Sequence, residues 1–189
     1  MKTVINNINE IIINKSRFIT YIFQIDKVED VKQKLDFVKL ECKDATHYCY
    51  AYIINNQEKC SDDGEPSSTA GAPILNVLQK ENVNNVLCIV VRYFGGIKLG
   101  AGGLVRAYSK ACKDCLITKT LEKGYLINIK FDYKNIKEID YLLNNSLVIN
   151  KVFLENSIYD VNITVLEFEK IKDKLNQISE INIIKNIYL

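Results

Sequence analysis

The chain of 189 residues has no tryptophan, one histidine, one methionine and two prolines, and only three of its 25 basic residues are arginine. A single histidine, His47, excludes a metal centre built on several imidazoles. Apolar runs such as Ile11-Ile12-Ile13 break after a few residues, far short of the ~18 that a membrane helix needs. The opening residues Met1-Lys2-Thr3-Val4-Ile5 soon meet asparagines and Glu10. That start lacks the apolar block of an export signal, so a cytoplasmic location with no membrane partner is expected. Six cysteines (42, 49, 60, 88, 112 and 115) without such a signal read as reduced thiols. Charge of one sign is also missing: the formal net charge is +2, so any surface for a polyanion has to be a local patch.

What remains is the composition of an ordinary globular protein, 48% hydrophobic and 25% charged, which excludes a collagen-like or disordered chain. The length allows one large domain or two small ones. All eight glycines lie between residues 64 and 124, and both prolines, Pro66 and Pro73, fall in the same stretch. Special backbone geometry is therefore concentrated in the middle of the chain.

Before that stretch, Thr3–Ile13 and Arg17–Ile25 read as two strands around a turn at 14–16. Asp26 is a plausible N-cap for a helix over 27–42, with Val28, Val31, Leu35 and Val38 at helical spacing. Residues 45–54 alternate, with Tyr48, Tyr50 and Tyr52 on one face and His47, Cys49 and Ala51 on the other, which predicts a strand. Residues 60–71 read as a loop, and Pro73 suits the first turn of a helix over 74–80. The apolar run 86–92 predicts a central strand. A glycine loop over 95–103 and a helix over 104–116 follow. From Tyr125 on, the order is strand, helix, strand, strand, helix, strand, as in the split ferredoxin-like unit. Two α+β domains are expected, 1–122 and 123–189, each a sheet with helices on one face.

Two segments carry the chemistry. In Ser61-Asp62-Asp63-Gly64-Glu65-Pro66-Ser67-Ser68-Thr69, three carboxylates precede three hydroxyls. Oxygen ligands of this kind suit Mg²⁺, and equally suit ordering of a long loop through backbone amides. The second segment runs from Arg92-Tyr93-Phe94-Gly95-Gly96 through Lys98, Gly100, Gly102 and Gly103 to Arg106. It fits neither the phosphate-loop nor the dinucleotide-binding pattern, so no cofactor is assigned. Glycines leading into a helix N-terminus leave amides free for an anion, to which Arg92, Lys98 and Arg106 would add charge. The same glycines also permit close packing of loop on sheet. His47 has both a packed and a catalytic reading. Cys112 and Cys115 lie at i and i+3 on an apolar helix stripe and read as packing, although Cys-x-x-Cys also occurs in redox and zinc sites. Tyr48, Tyr50 and Tyr52 would stack on bases only if their face were open.

At these segments the chain resembles the YigZ/Impact family. The resemblance rests on Ala45-Thr46-His47, Ser61 to Ser67, Thr69-Ala70-Gly71 and the run from Arg92 to Tyr108. It covers roughly residues 15–120, with a departure at Ser68, where the family usually has glycine. It implies an N-terminal α+β sandwich like a ribosomal-protein domain and a domain of elongation factor G, and a ferredoxin-like C-terminal domain βαββαβ. It also implies kinship with eukaryotic regulators of translation. The expected function is a non-enzymatic protein binding RNA, the ribosome or translation factors. Arg92, Lys98, Gly100, Gly102, Gly103 and Arg106 would meet the anion, and His47, Asp62, Asp63 and Glu65 would shape the surface. The alternative is a metal-assisted hydrolase of a phosphate ester or related anion, using the same carboxylates.

Overall fold

The computed structural model describes residues 1–55 and 57–189. They form two compact units, residues 2–120 and residues 121–189, with Met1 belonging to the second. No helix among the described residues is long and apolar enough to cross a membrane.

In the first unit, β2 (Asn7–Ile13) and β3 (Ser16–Gln24) form a hairpin. Its two turn residues, Asn14 and Lys15, both have positive φ (46° and 63°), the backbone twist that a two-residue hairpin requires. The expected single strand 3–13 is broken. The Asn6 side chain accepts the Gln24 amide, a local bond that competes with the ladder. Residues Lys2–Val4 (β1) instead pair with β7, Thr118–Thr120. Helix α1 (Asp30–Glu41) starts later than expected, because the Asp26 carboxylate is taken by Asn85 Nδ2 at 2.8 Å and does not cap it. Strand β4 (His47–Ile54) is paired by β5 (Gln57–Ser61), a polar edge strand that carries no apolar alternation. Helix α2 (Gly71–Lys80), β6 (Val86–Tyr93) and α3 (Gly100–Cys115) complete the unit.

The sheet order is β2-β3-β6-β4-β5, antiparallel throughout. Helices lie on both faces, which corrects the one-face expectation. Val31 and Val38 of α1 share a core with Tyr21, Tyr52, Leu87 and Ile89. Ile74 and Leu78 of α2 and Ala107, Tyr108 and Cys112 of α3 share another with Phe18, Cys49, Ala51 and Val90. Both faces of β6 are thus covered, which is why its sequence is an unbroken apolar run. The face carrying Tyr48, Tyr50 and Tyr52 packs with α1 and is not an open base-stacking platform.

The second unit is the ferredoxin-like arrangement. Strands β8 (Lys123–Phe131), β9 (Leu147–Phe153), β10 (Ser157–Thr164) and β11 (Ser179–Tyr188) stand in the antiparallel order β11-β8-β10-β9. Helices α4 (Ile136–Leu142) and α5 (Val165–Ile178) place Ile139, Phe168 and Leu175 on the same core as Ile127, Ile129, Tyr159 and Val161. Thr164 caps α5 by accepting the Glu167 amide at 3.2 Å.

Candidate functional site

The two segments singled out in the sequence meet in the first unit, on the α2/α3 side of the sheet. The acidic loop is ordered in large part by its own carboxylates, beside backbone turns such as Glu65 N–H to Asp62 O and Thr69 N–H to Pro66 O. Asp62 accepts the amides of Ser68, Ala70 and Gly71 at 2.8, 3.0 and 2.8 Å. Partial burial pushes its carboxyl up, but the three amides outweigh that and hold it below its ordinary value. Asp63 accepts the Tyr48 amide at 2.7 Å, and its carbonyl takes the Nδ1–H of His47 at 2.8 Å.

Glu65 turns into the protein, its side chain 3% exposed. Its Oε1 accepts Arg92 Nη1 at 2.6 Å and the Tyr108 hydroxyl at 2.8 Å, while Oε2 lies 3.8 Å from His47 Nε2. Burial, then the neighbouring Cys49 and Glu65, drive the Tyr108 hydroxyl far up, so it stays protonated and donates. Burial likewise pushes the Cys49 thiol up to about 12, which removes it as a nucleophile at neutral pH. Nothing in the sequence assigns Tyr108 a polar role; it stands there only as the end of the run from Arg92. Its only signal is a hydroxyl in a helix face that had to be buried.

Arg92 is therefore not the surface phosphate contact expected of it. It is 5% exposed, paired with Glu65, and flanked by the rings of Phe18 and Phe94 at 5.6 and 5.4 Å. Its Nε is buried without a hydrogen-bond partner among the described residues. The three carboxylates are pointed at separate partners, and no cluster of three His, Cys, Asp or Glu side chains able to hold a metal occurs among the described residues.

The glycine segment behaves differently. Gly95 lies so close to the β2–β3 turn that a Cβ on it would sit 2.0 Å from Lys15 carbonyl carbon. Helix α3 starts at Gly100, not Leu104, so Gly102 and Gly103 lie in its first turn, an unusual place for residues of poor helix propensity. Gly100 has φ +68°, the left-handed region that disfavours side chains. No side chain among the described residues caps this helix, and its first-turn amides have no intrahelical partners. Lys98 and Arg106 are exposed beside it and make no ion pair among the described residues. Arg106 Nη1 lies 3.6 Å from the point a Cβ on Gly102 would occupy, so the guanidinium folds back over the first turn. Two unpaired cations at the positive end of a helix dipole are unfavourable until an anion joins them.

A cavity of 370 Å³ opens at this helix start, and Glu65, Arg92, Phe94, Lys98 and Gly100 all line it. Gly102, Gly103 and Arg106 lie beyond its lining, and Gly103 is small because Leu99 Cβ is 3.0 Å from where a side chain would begin. Cys112 and Cys115 are fully buried in the core, and burial pushes the Cys115 thiol up to about 12. All six cysteines are free.

The Impact N-terminal domain matches residues 14–116. This chain belongs to the IMPACT family. It is 45% identical over 111 residues to the IMPACT family member YvyE of Bacillus subtilis, a match that covers 57% of this chain and 51% of that protein. It is 38% identical over 139 residues to the IMPACT family member YigZ of Escherichia coli, covering 69% of this chain and 68% of that one. The chain thus spans about half the length of the first relative and about two thirds of the second. A crystal structure of a hypothetical protein matches 97% of both chains with TM-score 0.63 and 31% identity, so the likeness extends through both units.

Proposed function

We propose that this IMPACT-family protein is a non-enzymatic binding protein that engages RNA phosphates, in the cytoplasm and in the context of the translation machinery. One observation carries the reading: the uncapped, glycine-built N-terminus of α3 with the unpaired cations Lys98 and Arg106 beside it. Free amides and the helix dipole attract an anion, and the two side chains add charge-assisted bonds. The small net charge makes this a local, salt-sensitive contact. The hydrolase reading is weakened by the commitments of its carboxylates: Asp62 to amides, Asp63 to Tyr48, and Glu65 to Arg92 and Tyr108.

Retention of ribosomes and of total RNA on the immobilised protein at low and moderate salt tests this. Retention should fall as salt rises, and Lys98→Ala and Arg106→Ala should each weaken it. No retention at either salt, or retention indifferent to both substitutions, would overturn the proposal.

A further inference from the structure

The cavity beside the α3 N-terminus is larger than a phosphate needs and has the wrong walls for one. At 370 Å³ it stands at the small end of the roughly 300–1,000 Å³ typical of ligand pockets. Apart from Arg92, Glu65 and the Lys98 rim, its lining includes Pro66, Phe94, Leu99 and Leu104. Phe94 is 47% exposed, although its neighbour Arg92 is buried and lies over its ring. An aromatic ring left this open beside a basic rim is a stacking surface. At the floor, Glu65 Oε1 accepts two hydrogen bonds, whereas Oε2 has, among the described residues, only His47 Nε2 nearby at 3.8 Å. The floor also holds the buried Arg92, whose Nε has no partner among the described residues. It therefore retains polar capacity that the protein itself does not satisfy.

We infer that this cavity accepts one unpaired nucleoside 5′-phosphate. The base lies against Phe94 and the Leu99/Leu104 wall, with an N–H toward Glu65, and the phosphate sits on the first-turn amides of α3 and Lys98. The inference rests on the phosphate-binding reading above and adds the nucleobase to it. A base inside a duplex has no free face to offer, so single strands are selected. The same chemistry is presented by a free nucleoside 5′-monophosphate and by an unpaired residue in RNA.

The absence of tryptophan from the chain supplies the test. Phe94→Trp puts a lone indole at the rim, where a stacked base quenches its fluorescence. Nucleoside 5′-monophosphates and a single-stranded RNA hexanucleotide should quench it saturably. Inorganic phosphate should compete for the site without quenching, and a blunt RNA duplex should do neither. Tighter binding of the hexanucleotide than of the monophosphates assigns the source to RNA; equal binding assigns it to the free nucleotide. In the otherwise unaltered chain, Phe94→Ala should weaken a labelled hexanucleotide about tenfold by anisotropy, with inorganic phosphate binding unchanged. If the hexanucleotide binds in a salt-sensitive way but neither quenches nor responds to Phe94→Ala, the base site is wrong and the phosphate site stands. If neither the hexanucleotide nor phosphate binds, both readings fail together.

Discussion

The acidic loop over 61–71 and the glycine segment over 95–106 have opposite economies of hydrogen bonding. In the first, conspicuous charge is engaged by the protein itself: half-exposed Asp62 organises three amides, exposed Asp63 holds the start of β4, and only Glu65 turns inward, in a buried pair with Arg92. In the second, inconspicuous glycines leave amides and two cations turned outward. A density of carboxylates in a sequence therefore says little about where a ligand goes. What matters is which polar groups the fold leaves without a partner. The contrast recurs between helices, since α5 begins on a Thr164 cap and α3 begins on none.

If the acidic loop is architecture, breaking it should cost stability. The largest effect is expected from Arg92→Met, which leaves Glu65 buried with one partner fewer. Loss of one member of a buried ion pair costs about 3–5 kcal/mol, readable by urea denaturation. Near-normal stability of that variant would mean that the pair is not structural. Asp62→Ala strands three amides and should cost roughly 2–4 kcal/mol. The Asp62 carboxyl is held below its ordinary value in the folded state. Its contribution is therefore complete above the unfolded value and lost as pH falls through the folded one. Asp62→Asn should accordingly flatten the loss of stability below about pH 4.

These relations mark where the sequence was legible. The helix stripe holding Cys112 and Cys115 was readable because packing follows period, and so was the strand alternation of β4 and β8. The broken first strand was not, because it depends on the Asn6 side chain meeting Gln24 eighteen residues away. The early start of α3 was hidden by its own glycines. The polar strand β5 was hidden by its place on the sheet edge, where no apolar face is required. At the site, Lys98 and Gly100 were found together with Glu65 and Arg92. That Arg92 is buried, and that Tyr108 completes its pair with Glu65, are long-range facts with no local signature.

Smaller effects sharpen the comparison. Replacing Cys112 and Cys115 with alanine should cost about 1 kcal/mol or somewhat more per side chain and leave RNA retention intact; rapid thiol labelling of the native protein would contradict their burial. Ser68 adopts φ 61°, in the left-handed region that favours glycine. Ser68→Gly should relieve that strain. The higher entropy of glycine in the unfolded chain offsets part of the gain, leaving a stabilisation of roughly 0.5 kcal/mol in thermal melts. Lys98→Ala and Arg106→Ala should change stability least, by less than about 0.5 kcal/mol, since neither side chain has an ion-pair partner to lose among the described residues.

The central claim is that the ligand meets the uncapped start of α3 and not the carboxylate loop. It is tested most directly by titrating the isotopically labelled protein with inorganic phosphate and following backbone amide resonances. The account predicts saturable shifts at the first-turn amides from Gly100 to Gly102, abolished by Lys98→Ala together with Arg106→Ala, with residues 61–71 unmoved. Shifts centred on residues 61–71 with the α3 amides silent, or no saturable shift in either segment, would contradict it.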